Sequence, residues 1–332
     1  MPASSVQIHF SYWLNLIMND YKSLAAKLAG KKILISGATG FVGKNICDFL
    51  VGLNRFYNSE IKITGLARKL VLMEGVTFHS HDVLNPLELD AHFDFIIHAA
   101  TPVTTAEDSD QKTLDIIVRG TENILAFSRK CKASRFLLVS SGAVYGVIPE
   151  SVERVPEEFI ALSPLNNAYA QGKMLSESIC LDFLNNNQIT LNIARCFAFS
   201  GKHLPLDAHF AIGNFVKDAL GQKPIKVKGD GSAVRSYMDS EDMVYWLLSI
   251  LLHDKNDVFN VGSDQAISIK ELAYKVAATV PGLEVIIEGK SQKESKKNIY
   301  VPSISKGRSL LGLELNTTLE SSIQKMMQMK RA

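Results

Sequence analysis

The chain has 332 residues, 46% of them hydrophobic and 21% charged, which suits one large α/β unit or two domains and excludes a disordered segment. Its 36 Lys and Arg against 34 Asp and Glu give a formal net charge of +2, too weak a field for a dedicated nucleic-acid binder. Cys47, Cys131, Cys180 and Cys196 lie far apart with no Cys-x-x-Cys spacing, so a disulfide scaffold and a structural metal are not expected, and a cytoplasmic protein is.

Residues 1–30 lack the basic start and small-residue cleavage site of a secretory signal. Tyr12, Leu14, Leu16, Ile17, Tyr21, Leu24, Ala25 and Leu28 recur at helical spacing and predict a helical extension packed on the domain or on a second subunit. From residue 31 strands and helices alternate. Lys32–Ser36 is a short apolar run, followed by a helix from Phe41 to Leu50 and strands at Ile61–Leu66, Val76–His79 and Phe93–Ile97. A helix over Lys112–Lys130, a strand at Arg135–Ser140, a helix over Ala170–Leu184 and a strand at Thr190–Ala194 continue the rhythm. Alternation at this pace predicts right-handed βαβ crossovers, hence a Rossmann-type doubly wound parallel sheet over residues 31–195.

After Arg195 the rhythm breaks into short strands at Ile225–Lys228 and Val258–Val261. Helices are expected at Asn214–Leu220, Glu241–Leu252, Ser268–Val280 and Thr318–Met329. Residues 196–332 therefore read mainly as a smaller C-terminal substrate-binding lobe, with 236–262 returning to the first domain. Apolar stretches such as Trp246–Leu252 fall far short of the ~20 residues a membrane span needs.

Gly37-Ala-Thr39-Gly40-Phe41-Val42-Gly43 lies between the first strand and the first helix. Gly37 allows the tight turn, Gly40 lets backbone approach a pyrophosphate, and Gly43 lets helix and sheet pack closely. The helix N-terminus then offers free N–H groups and partial positive charge to phosphates, so a dinucleotide is the expected ligand. The second strand ends in Gly65-Leu66-Ala67-Arg68-Lys69, without a carboxylate for a ribose 2′-hydroxyl. Arg68 favours NADP over NAD on charge grounds, with both left open. Asp82 and Val83, after the third strand, are placed to meet the adenine end, with a turn aspartate as the alternative for Asp82. Ala99, Ala100 and Thr101, after the fourth strand, are placed beside the cofactor.

Tyr169 and Lys173 stand four residues apart, on one face of a helix. A lysine ammonium beside a phenol stabilises the phenolate and is expected to lower a pKa that is ordinarily ~10. Tyr169 is thus a candidate general acid and base, with Lys173 also able to hold a nicotinamide ribose. Ser140 and Ser141 end the fifth strand, where active sites of open α/β sheets lie. His98 is expected behind the cofactor, His203 and His209 in the lobe loop facing the substrate, and no metal at His79 and His81.

The glycine triplet, Ser-Ser-Gly-Ala-Val-Tyr-Gly at 140–146 and Tyr169-x-x-x-Lys173 resemble the extended short-chain dehydrogenase/reductase family, and within it the nucleotide-sugar epimerase/dehydratase group. The resemblance runs from about Lys31 to the C-terminus and includes Arg195, Val234–Asp239 and Phe259-Asn-Val-Gly262. It implies an NAD(P)-dependent enzyme, a nucleotide-diphosphate sugar as substrate and a homodimer. It also implies Ser141 as the third catalytic residue, Gly142 at the substrate, and Arg235 paired with the diphosphate. In dehydratases of that group the two residues after the catalytic hydroxyl are an acid pair, and decarboxylase-type members keep a Glu there. Gly142 and Ala143 cannot transfer a proton, which favours a 4-epimerase or 4-keto reductase. The alternatives are a 4,6-dehydratase or decarboxylase, an NADPH reductase of a small carbonyl compound, and a non-catalytic dinucleotide sensor. Ile117 and Ala198 stand where the group usually has Asn.

Overall fold

A computed structural model describes residues 19–69, 71–101, 109–161, 164–165, 167–185, 187–208, 210–289 and 298–329. Tyr12, Leu14, Leu16 and Ile17 lie outside them. The described part of the N-terminal extension, α1 (19–28), packs on its own domain: Leu24, Ala25 and Leu28 are buried, and Tyr21 meets Phe49 edge to face at 5.0 Å.

The first half runs β1 (Lys32–Ser36), α2 (Phe41–Tyr57), β2 (Lys62–Ala67), β3 (Val76–Ser80), β4 (Phe95–His98), α3 (Asp110–Lys130), β5 (Arg135–Ser141), a 3-10 turn (Gly142–Tyr145), α4 (Ala168–Leu184) and β6 (Thr190–Cys196). After β7 (Phe199–Ser200) come α5 (Ala211–Leu220), β8 (Ile225–Val227), β9 (Val234–Arg235), β10 (Met238–Asp239), α6 (Ser240–Leu251), β11 (Asp257–Val261), β12 (Ile267–Ser268), α7 (Ile269–Ala277), β13 (Val285–Ile287), β14 (Ile299–Tyr300), α8 (Ser305–Leu311) and α9 (Leu319–Met329).

Seven strands form one parallel sheet in the order β11-β6-β5-β4-β1-β2-β3, a Rossmann-type doubly wound α/β fold. Its strands are apolar on both sides because both sides are covered. Ile33 and Ile35 of β1 pack with Ile46, Leu50, Val244 and Leu247 of α2 and α6, whereas Leu34 packs with Ile124, Phe127 and Cys180 of α3 and α4. Strand order reverses between β1 and β4, so a crevice opens at their carboxyl ends.

Helix α2 outruns the expected Phe41–Leu50 because Leu53 continues its buried face, and it stops at Asn58 in the left-handed region. Helix α4 starts two residues before the expected Ala170. Asn167 Oδ1 accepts from Ala170 N at 2.8 Å, which caps the helix and puts Tyr169 in its first turn. β11 pairs with β6 and returns the chain to the main sheet. A separate core joins α5, α7 and α9 to β8 and β13. Beside it, β9 lies between β12 and β14 and sets Arg235 opposite Tyr300.

Candidate active site

Packing enforces two of the three loop glycines. A Cβ on Gly37 (φ +70°) would lie 2.7 Å from the backbone of Ala99 and Ala100, and one on Gly43 would lie 2.3 Å from Gly37 O. The β1–α2 turn is therefore pressed against the end of β4, where Ala100, Thr101 and Ala99 follow. Gly40 is the N-cap of α2 and brings no side chain to its exposed N-terminus, which leaves the first-turn amides of Phe41, Val42 and Gly43 for a ligand. That backbone cradle, with Thr39 at its tip, fits a pyrophosphate. Asp82 Oδ1 accepts from Leu84 N at 3.1 Å, and Val83 packs against Gly120 of α3. Arg68 is exposed just past β2, its carbonyl accepting from Ser80 Oγ at 3.3 Å.

The catalytic candidates come from three elements. The adjacent serines ending β5 point opposite ways. Ser140 Oγ donates to Glu177 Oε1 at 2.5 Å, whereas Ser141 Oγ accepts from Ala143 N at 3.2 Å on the side of Tyr169. Lys173, one turn along α4, is buried and donates to Thr101 Oγ1 at 2.8 Å and Val139 O at 2.7 Å. No carboxylate among the described residues pairs with it, and burial pushes its ammonium down to about 8. A buried cation with only neutral partners fits the hydroxyls of a nicotinamide ribose. Tyr169 departs from the expected direction: burial holds its phenol above the ordinary value, opposed by the nearby Ser141 hydroxyl rather than by Lys173. The Cys196 thiol close by is pushed up to about 12 by burial and stays neutral.

Tyr300 enters the same place and is absent from the sequence-based set. Its ring lies against Phe197 with centroids 4.6 Å apart, and burial holds its phenol above the ordinary range. Gly142 lies beneath it, where a Cβ would sit 2.7 Å from both Tyr300 Oη and Phe197 Cζ. Arg235 projects over the Tyr300 ring, 5.9 Å from its centroid, and donates to Val234 O and Asn298 O at 2.8 and 2.9 Å. Among the described residues no carboxylate pairs with Arg235.

A buried network backs the site, and its linkage was not read from the sequence. Arg195 of β6 grips Glu177 of α4, Nη2 donating to Oε2 at 2.8 Å, and reaches the Tyr145 hydroxyl at 3.1 Å. Tyr145 donates to Asn260 Oδ1 at 2.7 Å, and Asn260 N donates to Glu157 Oε1 at 2.9 Å. Arg195, Tyr145 and Asn260 stand out only as part of the family resemblance, and Glu157 and Glu177 carry no signal.

Histidines divide differently. His98 is buried behind the cradle, Nδ1 meeting Ser36 Oγ at 2.6 Å and Nε2 meeting Thr121 Oγ1 at 3.2 Å; burial pushes it down to about 3, so it is neutral. His203 does not face the substrate crevice as expected. It pairs with Asp48 of α2 at 2.8 Å, since the loop after β7 folds back over α2. His209 lies outside the described residues. Ile117 is buried against Gly172, its carbonyl accepting from Thr121 Oγ1 at 2.7 Å.

Residues 33–262 match the NAD dependent epimerase/dehydratase family. UDP-glucuronic acid decarboxylase 2 of Arabidopsis thaliana is 29% identical over 90% of this chain and 68% of its own length. An epimerase of Methanothermobacter thermautotrophicus has the same fold, with a TM-score of 0.78 at 23% identity over 94% of each chain. The UDP-glucose 4-epimerase of Thermotoga maritima superposes with a TM-score of 0.78 at 19% identity, covering 90% of this chain and 98% of that one. At these identities the two structures speak for the fold alone.

Proposed function

The chain belongs to the NAD dependent epimerase/dehydratase family and is an NAD(P)-dependent enzyme, and from that premise we propose that it acts at C4 of a nucleotide-diphosphate hexose as a 4-epimerase or 4-keto reductase. One observation carries this reading: the Ser141, Tyr169 and Lys173 set is complete while Gly142 and Ala143 bring no acid or base beside it. Oxidation and reduction at C4 need one proton carrier, whereas elimination needs more.

In this reading Gly37, Thr39, Gly40, Phe41, Val42 and Gly43 cradle the pyrophosphate of NAD(P). Asp82 and Val83 meet the adenine end, Ala99, Ala100 and Thr101 flank the nicotinamide half, and Lys173 holds its ribose. The nicotinamide, when bound, supplies a hydride acceptor or donor. Arg68 and Lys69 support a preference for NADP. Arg235 grips the substrate diphosphate, a role suited to a planar guanidinium. Ser141 holds the C4 oxygen, and Tyr169 in its phenolate form takes the C4 hydroxyl proton as hydride leaves C4. In an epimerase the 4-keto sugar turns over and Tyr169 returns the proton as hydride comes back to the other face. A reductase runs only the second half. Nucleotide binding energy keeps the intermediate from escaping while the sugar turns. Exposed Met174, Leu175 and Leu181 on α4 support a homodimer.

The Arabidopsis relative's name favours decarboxylation as the second reading, and Ala143 in place of a glutamate speaks against it. Incubation with NAD or NADP and a panel of UDP-, GDP-, CDP- and dTDP-hexoses and UDP-glucuronic acid separates the readings. An epimer without net cofactor loss, or 4-keto reduction consuming NADPH, is expected; release of carbon dioxide from UDP-glucuronic acid would install the decarboxylase reading. Tyr169→Phe is expected to fold and bind cofactor while losing turnover by about 10²–10⁴-fold. Turnover like that of the parent in this variant overturns the assignment.

A further inference from the structure

We propose that Asn45 is a positioning residue for the dinucleotide: its amide, braced on Lys202 O, donates to Phe41 O and so aims and polarises the Val42 N–H for the pyrophosphate. The inference rests on the reading of the β1–α2 turn as the pyrophosphate cradle. Asn45 is buried on α2, one turn beyond that cradle. Its Nδ2 donates to Phe41 O at 2.8 Å and to Lys202 O at 2.9 Å. Both partners are carbonyl oxygens, so the NH2 end of the amide must face them, and both of its protons are used.

Phe41 O and the Val42 N–H belong to one planar trans peptide and point in opposite directions. A donor on the carbonyl therefore fixes where the N–H points, which is out of the open N-terminus of α2. Phe41 O already takes the helical bond from the Asn45 N–H, four residues on. The Nδ2 bond is a second one, on a carbonyl that an ordinary first turn satisfies once. Two donors on one side of a peptide draw electron density from the other and strengthen its N–H as a donor to an anion. Gly40 brings no capping side chain and the first turn holds no acid, so no side chain of the turn competes with a phosphate for that N–H.

The brace is itself fixed. Lys202 lies between α2 and α6: its N–H donates to Ser240 Oγ at 3.2 Å and its Nζ to Asp48 Oδ2 at 2.5 Å, where His203 Nε2 also binds at 2.8 Å. A Cβ on Gly201 would sit 2.4 Å from Ser240 Oγ, so the segment lies tight on α6. The loop from β7 to α5 thus supports the phosphate end of α2 through one amide.

The test compares Asn45→Thr with Asn45→Val, which share one shape and differ in a hydroxyl. Both give up the bond to Lys202 O. The threonine hydroxyl can bond the carbonyl four residues back, as Thr121 Oγ1 does to Ile117 O at 2.7 Å in α3. Calorimetric titration with ADP-ribose and with adenosine gives the pyrophosphate gain of each chain, the ratio of the two dissociation constants. That gain is expected to fall about three- to tenfold in Asn45→Val, the range of one hydrogen bond, and to stay within about twofold of the parent in Asn45→Thr. A merely structural asparagine would weaken both ligands alike, or make the two variants alike, and either result overturns the proposal. Should Asn45→Val not fold, Asn45→Ala takes its place, and loss of the gain in Asn45→Thr overturns the proposal in either case. A parent chain that gains nothing from the pyrophosphate overturns the cradle reading itself, whereas a parent gain that Asn45→Val keeps overturns this proposal alone.

Discussion

Glycine at position 142 is a consequence of what surrounds it. Tyr300 Oη and Phe197 Cζ occupy the space a side chain would need, both 2.7 Å from an added Cβ. Gly142→Ala must displace the phenol or the ring, and overpacking of this kind costs about 1–3 kcal/mol. Because Gly142 directly follows Ser141, a shift of its backbone moves the catalytic hydroxyl, and turnover is expected to fall more than stability does: at least tenfold in kcat against that modest loss. Steady-state kinetics beside urea unfolding of the variant checks this. Four-residue spacing marked Tyr169 and Lys173, and the strand end marked Ser140 and Ser141, of which the family resemblance picked Ser141. Tyr300 was not legible, because a tyrosine in a two-residue strand has no periodicity and comes to lie over Gly142 only through tertiary packing.

Helix α4 carries both Tyr169 and Lys173, and its placement on the sheet depends on residues outside any motif. Asn167 fixes where it begins, and Glu177 fixes how it meets the sheet by binding Arg195 of β6 and Ser140 of β5. Arg195 is in turn held charged by Glu177 and seated 4.8 Å from the Tyr145 ring. Glu177→Gln leaves the guanidinium largely buried without its counter-charge, and removal of one partner from such a pair costs about 3–5 kcal/mol. Urea unfolding is expected to show that loss, with the Lys173 environment disturbed because both residues share one helix. A change below about 1 kcal/mol would place the pair with exposed ion pairs of little consequence.

The second core, formed by α5, α7 and α9, is strapped to the main sheet through α6. Asp239 at its N-cap accepts from Ser322 Oγ of α9 at 2.5 Å, and Asp242 Oδ2 accepts from the amides of Asn316 and Thr317 at 3.0 and 2.9 Å. Asp242 is 1% exposed, and burial pushes its carboxyl up to about 6 against those two hydrogen bonds. The folded chain therefore holds this proton more tightly than the unfolded chain, whose Asp titrates at ~3.9. Its contribution to stability is complete below about pH 4, declines as pH rises to about 6 and is gone above, a span of about 3 kcal/mol. Asp242→Asn keeps an oxygen for both amides and cannot ionise. Relative to the parent chain it is expected to gain stability from about pH 4 to about pH 6 and to level off above, measured by urea unfolding at each pH. A constant difference across that range would remove Asp242 from the pH dependence.

Most of the large sheet could be read along the chain, because a parallel strand covered on both faces must be an apolar run and a crossover helix must show a 3.6-residue rhythm. The glycine triplet and the Tyr169–Lys173 pair belong to the same short-range class: each is one turn long and its geometry is set by neighbours in sequence. Folding alone brings Tyr300 over Gly142 and Arg235 over the Tyr300 ring, aims Ser140 away at Glu177 and swings His203 onto Asp48. Those contacts join segments remote along the chain through two-residue strands and single side chains. Such pieces are too short to carry a pattern, and their neighbours are chosen by packing.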